Sequence, residues 1–188
     1  MDTYSTLVAA ALKVLEEKGE AQFSTRAVCA MANVTAPTLY HHFGNADGLL
    51  SAAIAKAFEQ FLAGKKAAIQ SSDPVVALKQ GWDNYVSFAA KRPRLYAAML
   101  ARFLQGADLP AARQAFEMLG QRIAAIEAVG RLAIPPEAAI HVAWASANAA
   151  ALLYVTAAAQ SPHQQRRPDA AVVASMRNNA IRSICTPR

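Results

Sequence analysis

Disulfide and strand signals are the first things that this sequence lacks. It has only two cysteines, Cys29 and Cys185, which lie too far apart in sequence to form the closely spaced framework of a small secreted protein. β-Branched residues are sparse and do not alternate with polar residues over the length of a strand. No charged segment followed by an apolar one opens the chain, as a secretory signal would require. These absences disfavour a β-sheet or disulfide-rich protein and predict a cytoplasmic one.

Charge is also scarce. Only 17% of the 188 residues are charged, and the stretch between Glu137 and Arg166 contains no Asp, Glu, Lys or Arg. That stretch is long enough to span a bilayer. Its many alanines and its polar residues, such as His141 and Asn148, give little driving force for insertion. We therefore predict a buried helix there and no membrane partner.

Alanine and leucine dominate what is present. Hydrophobic residues make up 54% of the chain, which is enough to bury a core, and they recur with helical periodicity throughout. The predicted fold class is therefore all-α. Proline, glycine and capping residues predict helices at about 3–18, 25–32, 36–43, 46–69, 74–91, 93–105, 109–131, 136–160 and 169–184, with an exposed loop at 161–169.

The segment VTAPTLYHHF, at 34–43, concentrates two histidines, a tyrosine and two threonines without a formal charge. A metal site is disfavoured because His41 and His42 are neighbours, about 100° apart around a helix, and no HExxH, CxxC or acidic partner lies nearby. No Ser/His/Asp spacing, phosphate-binding loop or carboxylate pair indicates catalysis. The sequence therefore predicts no enzyme, no metal and no cofactor.

Two short helices joined at Asn33 fit a helix-turn-helix, whose second helix enters the major groove of DNA. Leu39 and Phe43, four residues apart, would form the inward face of that second helix. Tyr40 could be half-buried, but an exposed position would let it contact phosphate. The outward face would carry Ala36, Pro37, Tyr40 and His41, with Thr38 and His42 at its edges.

The segments AALKVLEEKG, FSTRAVCAMANVTAPTLYHHF and GLLSAAI resemble the TetR family of one-component repressors, over about Leu7–Ile54. This resemblance implies an all-helical homodimer with an N-terminal three-helix helix-turn-helix DNA-binding domain and a C-terminal helical ligand-binding and dimerisation domain. We place the two domains at 1–50 and 51–188. The resemblance also implies phosphate contacts from Thr25, Tyr40 and His42, and base contacts from Ala36, Pro37 and His41, with Thr35 and Thr38 nearby.

The charges near this motif depart from the family. Ala46 stands where the family often has a phosphate-binding lysine, and residues 1–50 hold three Lys and Arg against five Asp and Glu, a net charge of −2. The formal charge of +6 on the whole chain therefore comes from elsewhere. DNA binding would rely on Arg26, hydroxyl groups and backbone N–H groups at helix N-termini. The alternative is a helical ligand-binding protein of the same ancestry with little DNA affinity.

Aromatic residues recur at helical spacing in the second half of the chain. The segment WDNYVSFAAKRPRLYAAML, at 82–100, resembles the opening of a C-terminal domain found in part of the family, although Asn148 and Ala149 replace the usual His-Gly after a tryptophan. Such residues are more often core than pocket, yet several could surround a mostly apolar cavity for an uncharged or weakly polar effector. The candidate ligand-binding residues are Trp82, Tyr85, Tyr96, Met99, Phe103, Trp144 and Asn148.

The last two predicted helices suit self-association. The segment at 141–159 offers small residues that permit close helix approach, and the resemblance implies a dimer interface built from the final two helices. Val172, Val173 and Met176 could instead pack internally. The sequence thus predicts a homodimeric transcriptional regulator, a repressor released from double-stranded DNA by a small apolar ligand.

Overall fold

The structure is a computed structural model that describes residues 2–67, 71–160 and 167–187. These residues form nine α-helices, a 3-10 turn at Glu20–Gln22 and one isolated β-bridge between Leu132 and Cys185. The all-α prediction is confirmed. The helices are α1 (Thr3–Lys18), α2 (Thr25–Ala32), α3 (Ala36–Phe43), α4 (Ala46–Ala67), α5 (Pro74–Lys91), α6 (Pro93–Leu104), α7 (Pro110–Ala128), α8 (Pro136–Ala159) and α9 (Ala170–Ile184).

Most predicted helix boundaries lie within one residue of those observed. The largest difference is in α7, which ends at Ala128 rather than near residue 131. Gly130 adopts a left-handed φ of 68° there and turns the chain. The predicted end of the fourth helix near residue 69, and the part of the predicted loop at 161–166, lie outside the described residues.

The chain divides into two compact units. Unit 1 comprises Met1–Phe61 and Arg92–Ala111, so α6 belongs to the same unit as α1, α2 and α3 although it follows them by about fifty residues. Within unit 1, α1 packs against both α2 and α6. Arg92 Nε lies 3.4 Å from Glu16 Oε1, and the Arg94 guanidinium donates to the backbone carbonyl of Glu17. The fully buried side chains of unit 1 include Leu7, Leu15, Val28, Leu39, Leu49, Ile54 and Leu95.

Unit 2 comprises Leu62–Lys91 and Ala112–Arg188, and in it α5, α8 and α9 pack against one another. Its helix α8 contains the uncharged stretch that follows Glu137, and by length and composition alone this helix is apolar enough to cross a membrane. Small side chains let it approach its neighbours closely, so that it serves as a core helix of unit 2. Its buried alanines are Ala139, Ala143, Ala147, Ala150 and Ala151.

The apolar stripe of α9 faces the interior of unit 2. Val173 and Met176 pack against the cluster that contains Trp82 and Ala147, whereas Val172 is 50% exposed. Val173 and Met176 are thus partly buried within their own unit, as the alternative of internal packing predicted, and their part in a dimer interface stays a prediction.

Candidate nucleic-acid interface

A tight turn joins α2 to α3. Ser24 caps the start of α2, since its Oγ accepts the N–H of Ala27 at 3.2 Å. Asn33 ends the helix in the left-handed conformation, with φ 53° and ψ 47°, which asparagine tolerates better than most residues. The N–H of Val34 then donates to the Cys29 carbonyl at 3.1 Å and closes the turn. The turn predicted at Asn33 is confirmed.

The N-terminus of α3 is uncapped by side chains. Thr35 occupies the capping position, but its Oγ1 lies 2.9 Å from Thr38 Oγ1 and accepts no backbone N–H. Pro37 falls in the first turn, where its missing N–H breaks no helical hydrogen bond. The other first-turn N–H groups, at the positive end of the helix dipole, are therefore available to an anion such as a DNA phosphate.

The inward face of α3 is held by Leu39 and Phe43. Leu39 is fully buried, and Phe43 is half-buried. The Phe43 ring stacks on Tyr4 of α1, with centroids 4.8 Å apart and an interplanar angle of 24°. Tyr4 thus fixes the C-terminal end of α3. Sequence reasoning missed this residue because nothing local to Tyr4 pairs it with a ring 39 positions away.

The junction between α3 and α4 is equally constrained. Asn45 Oδ1 accepts the N–H of Gly48 at 2.8 Å, as an N-cap of α4 should. A Cβ at Gly48 would collide with the carbonyl oxygen of Phe43, so only glycine lets the two helices approach this closely. Gly48 is a second positioning residue that the sequence analysis did not single out.

The outward face of α3 is exposed. Tyr40 is 46% exposed, and its hydroxyl lies 3.5 Å from Thr25 Oγ1 at the start of α2. The structure therefore brings together two hydroxyls that the resemblance places on phosphate, one from each helix. We call the following set the recognition surface: exposed Arg26, Thr35, Ala36, Pro37, Tyr40, His41 and His42, with the partly buried Thr25 and Thr38.

Unit 1 carries no net charge. It holds seven Lys and Arg against seven Asp and Glu, because α6 and its flanks bring three arginines and one aspartate to the N-terminal helices. Most of these cations are engaged; Arg102 Nη2, for example, lies 2.6 Å from Asp47 Oδ1. Arg26 is exposed and forms no ion pair or hydrogen bond with any described residue. The recognition surface thus offers one uncommitted cation per chain.

The adjacent histidines do not form part of a larger ligand set. Their ring centroids lie 5.5 Å apart in an edge-on arrangement. Within residues 2–67, 71–160 and 167–187, no three His, Cys, Asp or Glu side chains are grouped so that they could hold a metal ion. The two rings stand on the exposed side of α3, where hydrogen bonding to DNA is the chemistry open to them.

Comparison with known proteins shows which family the N-terminal segment resembles. Residues 7–53 match the family described as bacterial regulatory proteins, tetR family. The matched range contains α2, α3 and every residue of the recognition surface. Residues 7–53 are therefore similar to tetR-family regulatory proteins, and this match covers about a quarter of the chain.

Solved structures share the fold of this chain at low sequence identity. A protein of unknown function from Rhodococcus sp. RHA1 aligns with a TM-score of 0.80 and 20% identity, over 99% of this chain and 97% of that one. A TetR-family regulator from Haemophilus influenzae gives 0.63 and 20%, covering 98% and 97%, and one from Pectobacterium atrosepticum gives 0.61 and 24%, covering 95% and 88%. No curated protein matches in sequence.

The predicted ligand-binding residues fall in both units of the chain. Tyr96, Met99 and Phe103 lie on α6 in unit 1, where Tyr96 and Met99 are buried. The other four, Trp82, Tyr85, Trp144 and Asn148, lie on α5 and α8 in unit 2.

Three of the four residues in unit 2 are linked to one another by hydrogen bonds. The Tyr85 hydroxyl donates to Asn148 Oδ1 at 3.0 Å, and Asn148 Nδ2 donates to the Trp144 carbonyl at 2.9 Å. Trp82 Nε1 donates to Ser146 Oγ at 3.0 Å. The Asn148 side chain, the amide among the predicted ligand-binding residues, is therefore hydrogen-bonded within the unit. The role of these residues in binding an apolar effector stays a prediction.

Proposed function

We propose that this chain is a TetR-family regulator that acts in the cytoplasm as a homodimeric repressor, and that a small ligand bound in unit 2 releases it from operator DNA. The proposal is supported chiefly by the recognition surface. An exposed helix presents uncapped N–H groups, a hydroxyl pair and an uncommitted arginine on a rigidly held frame. These are the groups that contact phosphates and base edges in a major groove.

Each group has a distinct role in that complex. Tyr40, Thr25 and the first-turn N–H groups of α3 donate hydrogen bonds to phosphate oxygens, and Arg26 adds a charged contact. His41 reaches base edges as a donor or acceptor, while Ala36 and Pro37 offer apolar contact to thymine methyl groups. Because unit 1 is neutral, short-range hydrogen bonds rather than long-range attraction supply most of the affinity.

The exposed side of α8 and α9 supports the dimer. Ala145, Ala149 and Leu152 follow one another along the exposed face of α8, and Val172 stands exposed on α9. Small residues permit the close helix approach that a four-helix interface requires. A two-fold dimer would present two recognition surfaces to half-sites about one DNA turn, or roughly 34 Å, apart.

Operator binding is tested by a gel-shift titration with DNA from upstream of the regulator's own coding sequence. Tyr40→Ala should weaken binding by about 1–2 kcal/mol, since it removes a charge-assisted hydrogen bond to phosphate. Tyr40→Phe should lose most of the same energy, because only the hydroxyl differs. Phe116→Ala, which truncates an exposed aromatic residue of unit 2, is the matched control and should bind normally. Unchanged binding by a folded Tyr40→Ala variant would show that α3 is not the DNA-contacting helix.

Release by a ligand is tested separately. Trp82 and Trp144 lie among the residues predicted to bind the effector, so an apolar ligand should alter tryptophan emission and raise the melting temperature. The same ligand should weaken DNA binding, because it shifts the equilibrium only through different affinities for the free and DNA-bound states. Tight ligand binding with no change in DNA affinity would rule out repression controlled by that ligand.

The second candidate function is a helical ligand-binding protein with little DNA affinity. The neutral charge of unit 1 favours it over a tight DNA binder. Failure to shift upstream DNA at low salt, combined with a clear response of tryptophan emission to small molecules, would select this alternative.

A further inference from the structure

Unit 2 contains a buried guanidinium without a counter-charge. Arg122, on α7, is only 7% exposed. It forms no ion pair or hydrogen bond with any described residue, and its Nε is buried without an acceptor. Burial lowers the pKa of Arg122, as expected when no carboxylate offsets the loss of water. A buried charge left unpaired destabilises the folded protein by several kcal/mol. Binding of a hydrogen-bond acceptor from solution would offset much of that cost.

The neighbouring helix α5 leaves space for this guanidinium at a glycine. A Cβ at Gly81 of α5 would collide with Arg122 Nη1 and come close to Cζ, so the absence of a side chain makes the room that the guanidinium occupies. Glycine in a helix interior costs about 1 kcal/mol relative to alanine. Gly81 therefore makes α5 less stable than alanine would, but it leaves the space that the Arg122 guanidinium occupies.

Arg122 also lines a cavity. The cavity has a volume of about 250 Å³ and contains polar groups from Ser71, Ser72 and Gln121, with apolar side chains of α5 and α7 completing its wall. This is roughly the space of eight water molecules. Among the described residues that line it, none is acidic. The cavity thus offers one buried cation and several hydrogen-bonding groups to a ligand of a few non-hydrogen atoms.

A second cation adds to the positive field. Lys65 of α4 is partly buried, and its Nζ donates to the Ala115 carbonyl of α7 at 2.9 Å. Burial, and then the positive charge of Arg122, lower the pKa of Lys65 to about 8. The charged forms of two such neighbouring cations are both stabilised when an anion binds close to them.

We propose that unit 2 binds a small oxyanion, a carboxylate or a phosphate, in the cavity lined by Arg122, Ser71, Ser72 and Gln121. The planar guanidinium offers two parallel N–H donors to two oxygens of such a group, and the serine hydroxyls and the Gln121 amide satisfy the remaining lone pairs. This site is distinct from the aromatic cluster around Trp82, and it does not depend on DNA binding. The ligand of this site is anionic, whereas the effector predicted from the aromatic periodicity is uncharged or weakly polar.

Calorimetric titration and thermal melting of the full chain test the site, with inorganic phosphate and propionate as separate probes and sodium chloride at matched ionic strength as the reference. We expect one of the two probes to bind with a dissociation constant of about 1 mM or tighter and to raise the melting temperature above the chloride reference. Phosphate alone, or propionate alone, identifies which oxyanion the cavity accepts. Failure of both probes to bind would overturn the proposal.

Variants locate the binding. Arg122→Gln should weaken the affinity by about tenfold to a hundredfold, the loss typical of a hydrogen bond to a charged group. Gly81→Ala should weaken it as well, because its methyl group displaces the guanidinium while the charge of the chain is unchanged. Arg113→Gln removes the same charge from an exposed position of α7 and should bind like the unmodified protein. Equal affinity in Arg122→Gln, Gly81→Ala and the unmodified protein would show that the anion binds elsewhere.

Discussion

The salt dependence of operator affinity should be shallow, and replacement of Arg26 by glutamine should make it shallower still. Each phosphate neutralised by a protein cation contributes about −0.9 to the slope of log affinity against log salt. The expected slope therefore depends on how many cations of unit 1 are free to meet DNA.

The contacts within unit 1 show how many of its cations are free to meet DNA. Unit 1 has seven Lys and Arg, and five of them are engaged within the unit: Lys13, Lys56, Arg92 and Arg102 with carboxylates, and Arg94 with a backbone carbonyl. Lys18 and Arg26 form no such contact with the described residues. Two cations per protomer give about four phosphate contacts per dimer and a slope of about −4, whereas Arg26→Gln should leave about −2.

The measurement is a titration of operator affinity between low and moderate salt at pH 8, where histidine side chains are mostly neutral. Lys56→Gln is the matched control, since Lys56 Nζ is paired with Glu59 at 2.9 Å, and it should leave the slope unchanged. A slope near −8 for the unmodified protein, or an unchanged slope in Arg26→Gln, would refute the reasoning. Either result would mean that other cations face the DNA.

Three further outcomes are expected. The pKa of Lys65 is lowered to about 8, so the charge of Lys65 destabilises the fold below that pH. The free energy of unfolding, measured by chemical denaturation relative to that of Lys65→Met, should therefore rise by about 1–2 kcal/mol between pH 7 and about 9.5. Gly48→Ala should lower both the melting temperature and operator affinity, whereas Gly64→Ala, where the added Cβ meets nothing within 4 Å, should not. Tyr4→Ala should cost roughly 0.5–1.5 kcal/mol of stability beyond lost burial, because it removes the stack on Phe43, and Tyr4→Phe should restore it.

The helices and the recognition surface could be predicted from the sequence because their signals are local. Proline at helix starts, Asn33 at the turn and the four-residue spacing of Leu39 and Phe43 each act within one or two helical turns. Such features place the outward residues of α3 with no knowledge of the rest of the chain.

The positioning contacts could not be predicted, since they join residues that are distant in sequence. The stack of Tyr4 on Phe43, the place of α6 in unit 1 and the inward orientation of Met176 all depend on how helices pack. Periodicity shows that a helix has an apolar face, but not which neighbour will cover it.

The buried guanidinium was missed for a related reason. An arginine in an amphipathic helix is expected on the solvent side, and Arg122 departs from that rule only because Gly81 leaves room for it. Neither residue is informative alone. The pair becomes visible once α5 and α7 are placed side by side.

The membership of α6 in unit 1 bears on how operator specificity could be transplanted between regulators. Arg102 donates hydrogen bonds to Asp47, 55 positions away in sequence, and to Ser51, near the start of α4. Arg92 and Arg94 contact Glu16 and Glu17 at the end of α1. A fragment that ends at residue 61 would lack these contacts and would expose the surface of α1 that α6 covers. A chimaera that borrows the helix-turn-helix must therefore include residues 92–111 as well as the N-terminal segment, even though the family match covers only part of that segment.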